Sequence, residues 1–138
     1  MTAKFELVEL KSLGDERGDM IAVAMGSNCP FEIRRAYYIF STKKGVTRGF
    51  HAHKNLKQIA ISLSGSCTFI LDDGDQREIV ELNRPDQGLL IEGLIWREMK
   101  DFSEDCILLV LASEHYDESD YVREYEKFRQ LSRVENNK

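Results

Sequence analysis

Short apolar runs, either alternating with polar residues or continuous, recur along the chain up to about residue 112. They are rich in Val, Ile, Leu, Phe and Tyr and are separated by turn residues, which is typical of β-strands. The predicted strands span residues 5–10, 20–24, 33–40, 56–63, 66–71, 76–82, 88–92, 95–100 and 106–112. The Asp73-Gly74 step predicts a hairpin between the fifth and sixth runs. So many short strands favour a closed or double-sheet jelly roll, because that architecture protects sheet edges.

The hydrophobic period changes after residue 113. The apolar positions that then recur at helical spacing are Tyr121, Tyr125, Phe128 and Leu131. This spacing, with Asp117 as the expected N-cap, predicts a C-terminal helix over about 117–133 with one packed face. The 138 residues contain no linker, repeat or low-complexity stretch. We therefore expect one domain over 1–138, with a barrel at about 5–113.

Composition excludes several classes of protein. The net charge of −5 disfavours a protein that binds nucleic acid through its phosphates. No apolar run approaches the roughly 20 residues that a membrane span needs, and the charged, alternating N-terminus is unlike a secretory signal. The three cysteines, an odd number far apart in sequence, predict small buried and reduced thiols. We therefore expect a cytoplasmic protein.

Two of the three histidines form the sequence His51-Ala-His53. Residues two apart on a strand lie on the same face, so both imidazoles are expected to enter one cavity or to face the solvent together. Such a pair suits metal binding or proton transfer, because imidazole titrates near neutral pH. A pair of surface histidines without either role remains an alternative from these residues alone.

The spacing around the histidines resembles the first motif of the cupin superfamily, a small jelly-roll barrel. In that motif a glutamate ligand is expected where Gln58 stands, and a neutral amide is a much poorer ligand. Counted from Gly88, the second motif places Met99 where a metal-binding histidine is expected. His51 and His53 alone do not complete a metal site. We therefore predict no metal, which leaves both imidazoles free for acid–base chemistry.

Longer strings narrow the resemblance to one family. They are PFEIRRAYYIF (30–40), RGFHAHK (48–54), LSGS (63–66), WREMKDF (96–102) and VLASEHYDESDY (110–121). Together they closely resemble the dTDP-4-keto-6-deoxyglucose 3,4-ketoisomerases, which are metal-independent cupins of deoxysugar biosynthesis. The resemblance covers residues from about 5 to about 130. It implies an all-β fold, the cupin double-stranded β-helix (jelly-roll) barrel, with a C-terminal α-helix.

The resemblance also implies a reaction and its partners. The ketone of a dTDP-linked 4-keto-6-deoxyhexose moves from C4 to C3 through an enediol, and no cofactor takes part. A 3-aminotransferase then acts on the product, which supplies amino sugars for antibiotics or for surface glycans such as O-antigen or an S-layer glycan. A homodimer is expected.

Eight side chains receive roles by the resemblance. His51 is expected to be the C3 base, His53 to orient the sugar or relay protons, and Tyr37 to donate to or anchor the sugar. Arg35 shares a strand face with Tyr37 by alternation, and a guanidinium fits a phosphate with two hydrogen bonds. The expected substrate-binding residues are Arg17, Arg35, Arg48, Arg97 and Glu98.

Two product branches stay open. As the resemblance implies, enzymes that form 3-keto-6-deoxyglucose tend to carry Tyr where Arg17 stands and Arg at the position of Arg97. Those that form 3-keto-6-deoxygalactose tend to carry Arg and His there. This chain combines Arg17 with Arg97 and so fits neither pattern completely. A sugar-nucleotide-binding cupin without turnover, a related dTDP-sugar epimerase and a metal-dependent cupin oxygenase are the competing functions.

Overall fold

The computed structural model describes residues 3–137, and β-strands make up most of its regular structure. The elements in chain order are β1 (Lys4–Glu9), β2 (Arg35–Phe40), β3 (Arg48–His53), β4 (Lys57–Ser64), β5 (Cys67–Asp72), β6 (Arg77–Leu82), β7 (Gln87–Glu92), β8 (Trp96–Lys100), β9 (Ile107–Ala112), a 3-10 turn (Glu118–Asp120), β10 (Tyr121–Val122) and α1 (Tyr125–Asn136). One sheet has the strand order β1-β7-β4-β9-β2, and the other has the order β10-β3-β8-β5-β6. All strand pairings within the two sheets are antiparallel.

The two sheets enclose one apolar core. Leu71 of β5 in one sheet and Leu89 and Leu108 of β7 and β9 in the other are fully buried in the same cluster. Cys67 and Cys106 belong to this cluster, and all three cysteines are free and buried, as predicted for small core positions. The predicted jelly-roll architecture of an all-β cupin barrel with a C-terminal helix is confirmed.

The strand predicted at 20–24 is wrong. The chain from residue 10 to residue 34 forms a loop that contains only isolated β-bridges. Ile21 and Val23 of this loop pack against a buried cluster on the outer face of the first sheet, whereas Met20 is 59% exposed. Apolar and polar residues alternate here because one side of the loop packs on the sheet. They do not alternate because the segment is a β-strand.

The C-terminal helix begins later than the sequence predicts. It spans Tyr125–Asn136, not 117–133. Asp117 is a cap, as expected, but it caps the short 3-10 turn, where its side chain accepts a hydrogen bond from the Ser119 amide. Tyr121 and Val122, which follow the 3-10 turn, then pair with the end of β3 as β10. Strand pairing of this backbone stops the helix from starting earlier, because one amide group cannot serve both structures.

Helix α1 packs on the outer face of the second sheet. Phe128 is completely buried there in a cluster with Ala52 of β3, Trp96 of β8 and Val122 of β10. Trp96 is therefore a core residue. Among residues 3–137, no helix is long and apolar enough to cross a membrane. The helix packs on the outer faces of β3 and β8. The inner faces of the same two strands carry the histidines and Arg97.

Replacing Phe128 by alanine should detach α1 from the sheet. We expect Phe128→Ala to lower the free energy of unfolding by about 3–5 kcal/mol, because it removes a fully buried aromatic side chain and leaves a cavity. Val134 of the same helix is 58% exposed, and Val134→Ala should change the free energy by no more than about 0.5 kcal/mol. Urea unfolding of both variants measures the difference. Equal effects would contradict the packing described for α1.

Candidate active site

The two histidines of β3 lie on the same face of the strand, as the sequence predicts. Their ring centroids are 4.8 Å apart, and the rings meet edge to face. His51 pairs across the sheet with Arg97 of β8, and His53 pairs with Tyr121 of β10. The Tyr121 ring lies 5.0 Å from the His51 ring and 4.3 Å from the His53 ring. The imidazole pair is therefore flanked by β8 on one side and by β10 on the other.

A bulge in β3 places His51 opposite Arg97. The register with β8 shifts between Gly49 and His51, and Gly49 and Phe50 have φ values of 94° and 57°. A Cβ atom on Gly49 would lie 2.8 Å from the Arg97 carbonyl oxygen. Only glycine fits both the positive φ and this close approach of the two backbones.

Asp120 holds His53. The Nδ1 atom of His53 lies 3.0 Å from the Oδ2 atom of Asp120. The other carboxylate oxygen accepts a hydrogen bond of 2.8 Å from the Asn55 amide, and the Asp120 carbonyl accepts one of 3.0 Å from the Lys54 amide. A carboxylate can only accept, so the neutral imidazole carries its proton on Nδ1. The lone pair of His53 is therefore on Nε2.

Arg97 brings a buried positive charge to the site. Its side chain is on the inward face of β8 and the residue is 2% exposed. The guanidinium donates to the Gln58 side-chain oxygen and, over 2.9 Å, to the Ile95 carbonyl, whereas its Nε atom finds no hydrogen-bond partner among the described residues 3–137. No carboxylate within residues 3–137 forms an ion pair with it. Burial lowers the pKa of Arg97 to about 10, so it remains charged at neutral pH.

Both imidazoles are neutral at pH 7. Burial and, second, the charge of Arg97 lower the pKa of His51 to about 4. The same two causes lower the pKa of His53 well below its ordinary range. His51 is only partly buried, whereas His53 is 1% exposed. Two neutral imidazoles, one of them closer to the solvent, can accept protons from a bound ligand.

Tyr37 joins this cluster from the opposite sheet. It lies on the inward face of β2 with Arg35, as the alternation predicts, and the Arg35 guanidinium is 5.4 Å from its ring centroid. The Tyr37 hydroxyl accepts a hydrogen bond of 3.0 Å from the Nε2 atom of Gln58. Burial raises the pKa of Tyr37, so the phenol is protonated at neutral pH. The site thus contains a neutral hydroxyl that can act as a donor.

Charged and aromatic side chains from 116–123 lie on one side of the histidines. The Arg123 guanidinium stacks over the Tyr121 ring at 4.3 Å and forms an ion pair of 2.7 Å with Glu118. The Tyr116 hydroxyl donates to Glu118, and the Arg35 guanidinium lies 5.9 Å from the Tyr116 ring. This region supplies both positive charge and flat aromatic surface next to the imidazoles.

Three of the predicted site residues are not joined to the histidines. Arg17 is in a surface turn, where its side chain is 86% exposed and pairs with Asp15. Arg48 is exposed at the first position of β3. Glu98 accepts a hydrogen bond of 2.9 Å from the Trp96 indole, on the outer face of β8. The structure therefore groups His51, His53, Tyr37, Arg35 and Arg97 and separates Arg17, Arg48 and Glu98 from them.

The structure adds site residues that the sequence analysis did not select. They are Gln58, Asp120, Tyr121 and Arg123. Gln58 could have been found from its place in the cupin motif, but it was considered there only as a missing ligand. The other three lie in or next to the segment predicted to be helical, so no pattern placed them beside β3. Among residues 3–137, no group of three or more His, Cys, Asp or Glu side chains could hold a metal ion.

Replacing Asp120 should change which nitrogen of His53 carries the proton. In the wild type, ¹⁵N NMR at pH 7 should show a protonated Nδ1 and a bare Nε2 for His53. In Asp120→Asn, the amide group can donate to Nδ1, so the proton should move to Nε2. Asp117→Asn is the matched control, because Asp117 caps the same 3-10 turn without touching His53. An unchanged tautomer in Asp120→Asn would contradict the assigned role of Asp120.

Three kinds of comparison connect this arrangement to known proteins. The family model described as "FdtA: WxcM-like, C-terminal" matches residues 3–133. A TDP-4-oxo-6-deoxy-alpha-D-glucose-3,4-oxoisomerase from Aneurinibacillus thermoaerophilus is 47% identical over 124 residues, which are 90% of this chain and 89% of the relative.

Solved structures are similar over nearly the whole chain. The TDP-quinovose 3,4-ketoisomerase WlaRB from Campylobacter jejuni is 49% identical, with a TM-score of 0.88 over 91% of this chain and 97% of that one. The H51N mutant of the 3,4-ketoisomerase QdtA from Thermoanaerobacterium thermosaccharolyticum, in complex with TDP-4-keto-6-deoxyglucose, is 42% identical, with a TM-score of 0.93 over 97% of each chain.

Proposed function

The chain belongs to the family described as FdtA: WxcM-like, C-terminal, and we propose that it is a sugar-nucleotide 3,4-ketoisomerase. Its substrate is a dTDP-linked 4-keto-6-deoxyhexose, dTDP-4-keto-6-deoxyglucose by similarity to the relatives. The observation that carries the proposal is the pair of neutral imidazoles beside a buried arginine and a neutral phenol. This set of groups suits proton transfer next to a carbonyl group.

His51 is the proposed base at sugar C3. The C4 ketone acidifies the C3 proton, and His51 is the more accessible of the two imidazoles. Its low pKa, about 4, keeps it unprotonated and able to accept at neutral pH. Removal of the proton creates an enediolate, whose negative charge favours the new imidazolium by direct attraction.

Arg97 and Tyr37 are the proposed stabilisers of the enediolate. Arg97 offers a buried positive charge that forms no ion pair with a carboxylate in the described part of the chain, and Tyr37 offers a neutral hydroxyl. Donors that are already fixed before the reaction stabilise a developing oxyanion strongly, because they need no reorientation. Arg35, which lies between the Tyr37 and Tyr116 rings, is the proposed contact for the diphosphate, as is Arg48 at the start of β3.

His53 and Asp120 form the proposed proton relay. The isomerisation moves one proton from C3 to C4 and one from O3 to O4, so nothing is oxidised by an external acceptor. The Nε2 lone pair of His53 can take the O3 proton and return it to O4. The carboxylate of Asp120 stabilises the imidazolium while it holds that proton. The alternative of a binding protein without turnover does not need this buried dyad.

The product chemistry indicates a place in biosynthesis. A ketone at C3 is the group that an aminotransferase converts into an amine, so this enzyme acts ahead of a 3-aminotransferase. The resulting amino sugar enters a surface glycan such as O-antigen or an S-layer glycan. The protein works as a single cupin domain in the cytoplasm.

An exposed apolar patch supports a homodimer. Tyr38 and Phe40 on the outer face of β2 are 63% and 59% exposed, and their rings stack at 5.9 Å. Phe40 pairs with Ile107, and Leu63 extends the patch on β4. β2 is also the edge of its sheet. A second copy could cover this surface around a twofold axis, because such an axis brings a patch against itself.

Replacing His51 should stop the reaction but not binding. We expect His51→Asn to lower kcat by about 100-fold or more, because general-base catalysis is lost. Calorimetry should show TDP binding within about tenfold of the wild type, because the base acts on the sugar. His115 is exposed, so His115→Asn is the matched control with unchanged turnover. Retained turnover in His51→Asn would contradict its role as base. If the wild type binds the nucleotide sugar but does not turn it over, the alternative of a sugar-nucleotide-binding cupin is favoured instead.

Replacing Tyr38 should separate the dimer. Light scattering should give a mass of twice the 15.9 kDa chain for the wild type. Tyr38→Asp should have the mass of a single chain, because burying an unpaired charge at the apolar contact is unfavourable. Ile79, which is 73% exposed on the edge strand β6, is the control, and Ile79→Asp should remain dimeric. A dimeric Tyr38→Asp would place the interface elsewhere, and a monomeric wild type would exclude the homodimer.

A further inference from the structure

Gln58 occupies a central position between the Arg97 and Tyr37 side chains. It lies on β4, is 4% exposed and binds both of them. We propose that Gln58 is a positioning residue that forces the Tyr37 hydroxyl to donate to the substrate. The inference rests on the proposed function, since it assigns a role to Gln58 in the same reaction.

The orientation of the Gln58 amide follows from its partners. A guanidinium has only hydrogen-bond donors, so the group of Gln58 that faces Arg97 must be its oxygen. The amide nitrogen then faces the Tyr37 hydroxyl at 3.0 Å and can only donate to it. Arg97 is itself anchored through the Ile95 carbonyl at 2.9 Å. The direction of both hydrogen bonds is therefore fixed by donor and acceptor chemistry.

This direction leaves the Tyr37 proton available. The hydroxyl oxygen accepts from Gln58, and no group among residues 3–137 accepts the hydroxyl proton. The phenol is neutral, so the proton is present at neutral pH. Arg97, Gln58 and Tyr37 thus form a chain of donors that all point one way. Each donor polarises the next, so part of the effect of the Arg97 charge reaches the Tyr37 proton.

A carboxylate at position 58 would reverse the direction of the hydrogen bond between residue 58 and the Tyr37 hydroxyl. It has nearly the same size and could accept from Arg97 as the amide does. It has no donor, however, so the Tyr37 hydroxyl would have to donate to it. The hydroxyl would then no longer be free to donate to the sugar. An amide at position 58, where the cupin motif is expected to carry a glutamate, therefore keeps the Tyr37 hydroxyl free to donate to the enediolate oxygen.

Kinetics of Gln58→Glu test the inference. We expect kcat to fall by about tenfold or more and KM to change by less than about threefold, because the lost interaction forms with the developing oxyanion. Thermal unfolding should give a Tm equal to or above that of the wild type, since the introduced carboxylate pairs with Arg97. The Tyr37→Phe substitution should lower kcat in the wild type. In the Gln58→Glu background, Tyr37→Phe should have almost no further effect on kcat, because the Tyr37 hydroxyl already donates to the introduced carboxylate.

A second variant separates reversed polarity from simple loss of hydrogen bonds. Gln58→Met removes both bonds, but it leaves the Tyr37 hydroxyl free to donate. Its kcat should therefore exceed that of Gln58→Glu, and Tyr37→Phe should still lower kcat in this background. If Gln58→Glu fails to fold, Gln58→Met still tests the inference: its kcat should fall below that of the wild type, because the Tyr37 hydroxyl loses the polarising bond from Gln58, and wild-type turnover would contradict this.

Several outcomes would overturn the inference. One is wild-type turnover in Gln58→Glu. Another is an equal loss from Tyr37→Phe in the wild type and in Gln58→Glu, which would mean that the introduced charge acts through Arg97 alone. A wild type without turnover would refute the proposed function itself and the inference with it, whereas an active wild type isolates the role of Gln58.

Discussion

The site depends on the buried positive charge of Arg97, with which no carboxylate among residues 3–137 forms an ion pair. Arg97 is 2% exposed and is held by an amide oxygen and a backbone carbonyl. A buried charge with neutral partners alone is unfavourable by several kcal/mol, so its presence points to an anionic group that forms during function. The same charge helps to keep His51 and His53 neutral. It also determines which way the Gln58 amide faces.

The fold builds this arrangement by using both faces of the same strands. The inward side chains of β3 and β8 form the site, and their outward side chains, Ala52 and Trp96, pack under Phe128 of α1. The short strand β10 then closes the edge of β3 and brings Asp120 to His53. Helix packing, strand register and the protonation of His53 are therefore linked. A substitution that disturbs the packing of α1 on the outer face of the sheet should therefore affect the imidazoles on its inner face.

Local periodicity was sufficient to predict much of this structure. The period of two identified most strands, the shared face of the two histidines and the shared face of Arg35 and Tyr37. It failed at 20–24, where the apolar residues pack from a loop, and at 117–122, where pairing with β3 overrides the helical pattern. Asp120 and the bond of Gln58 to Arg97 depend on contacts between distant segments, which no local pattern records.

Metal-free isomerisation by the two imidazoles is tested most directly by an NMR time course of the wild-type protein in D₂O with a metal chelator present. The substrate is dTDP-4-keto-6-deoxyglucose, and a 3-aminotransferase traps the product. Neutral imidazoles that act without a metal predict loss of the C3 proton signal and accumulation of a 3-amino sugar at an undiminished rate. Full dependence of both changes on added metal, or no exchange at C3 in protein that still binds the nucleotide sugar, would contradict metal-free catalysis by His51 and His53.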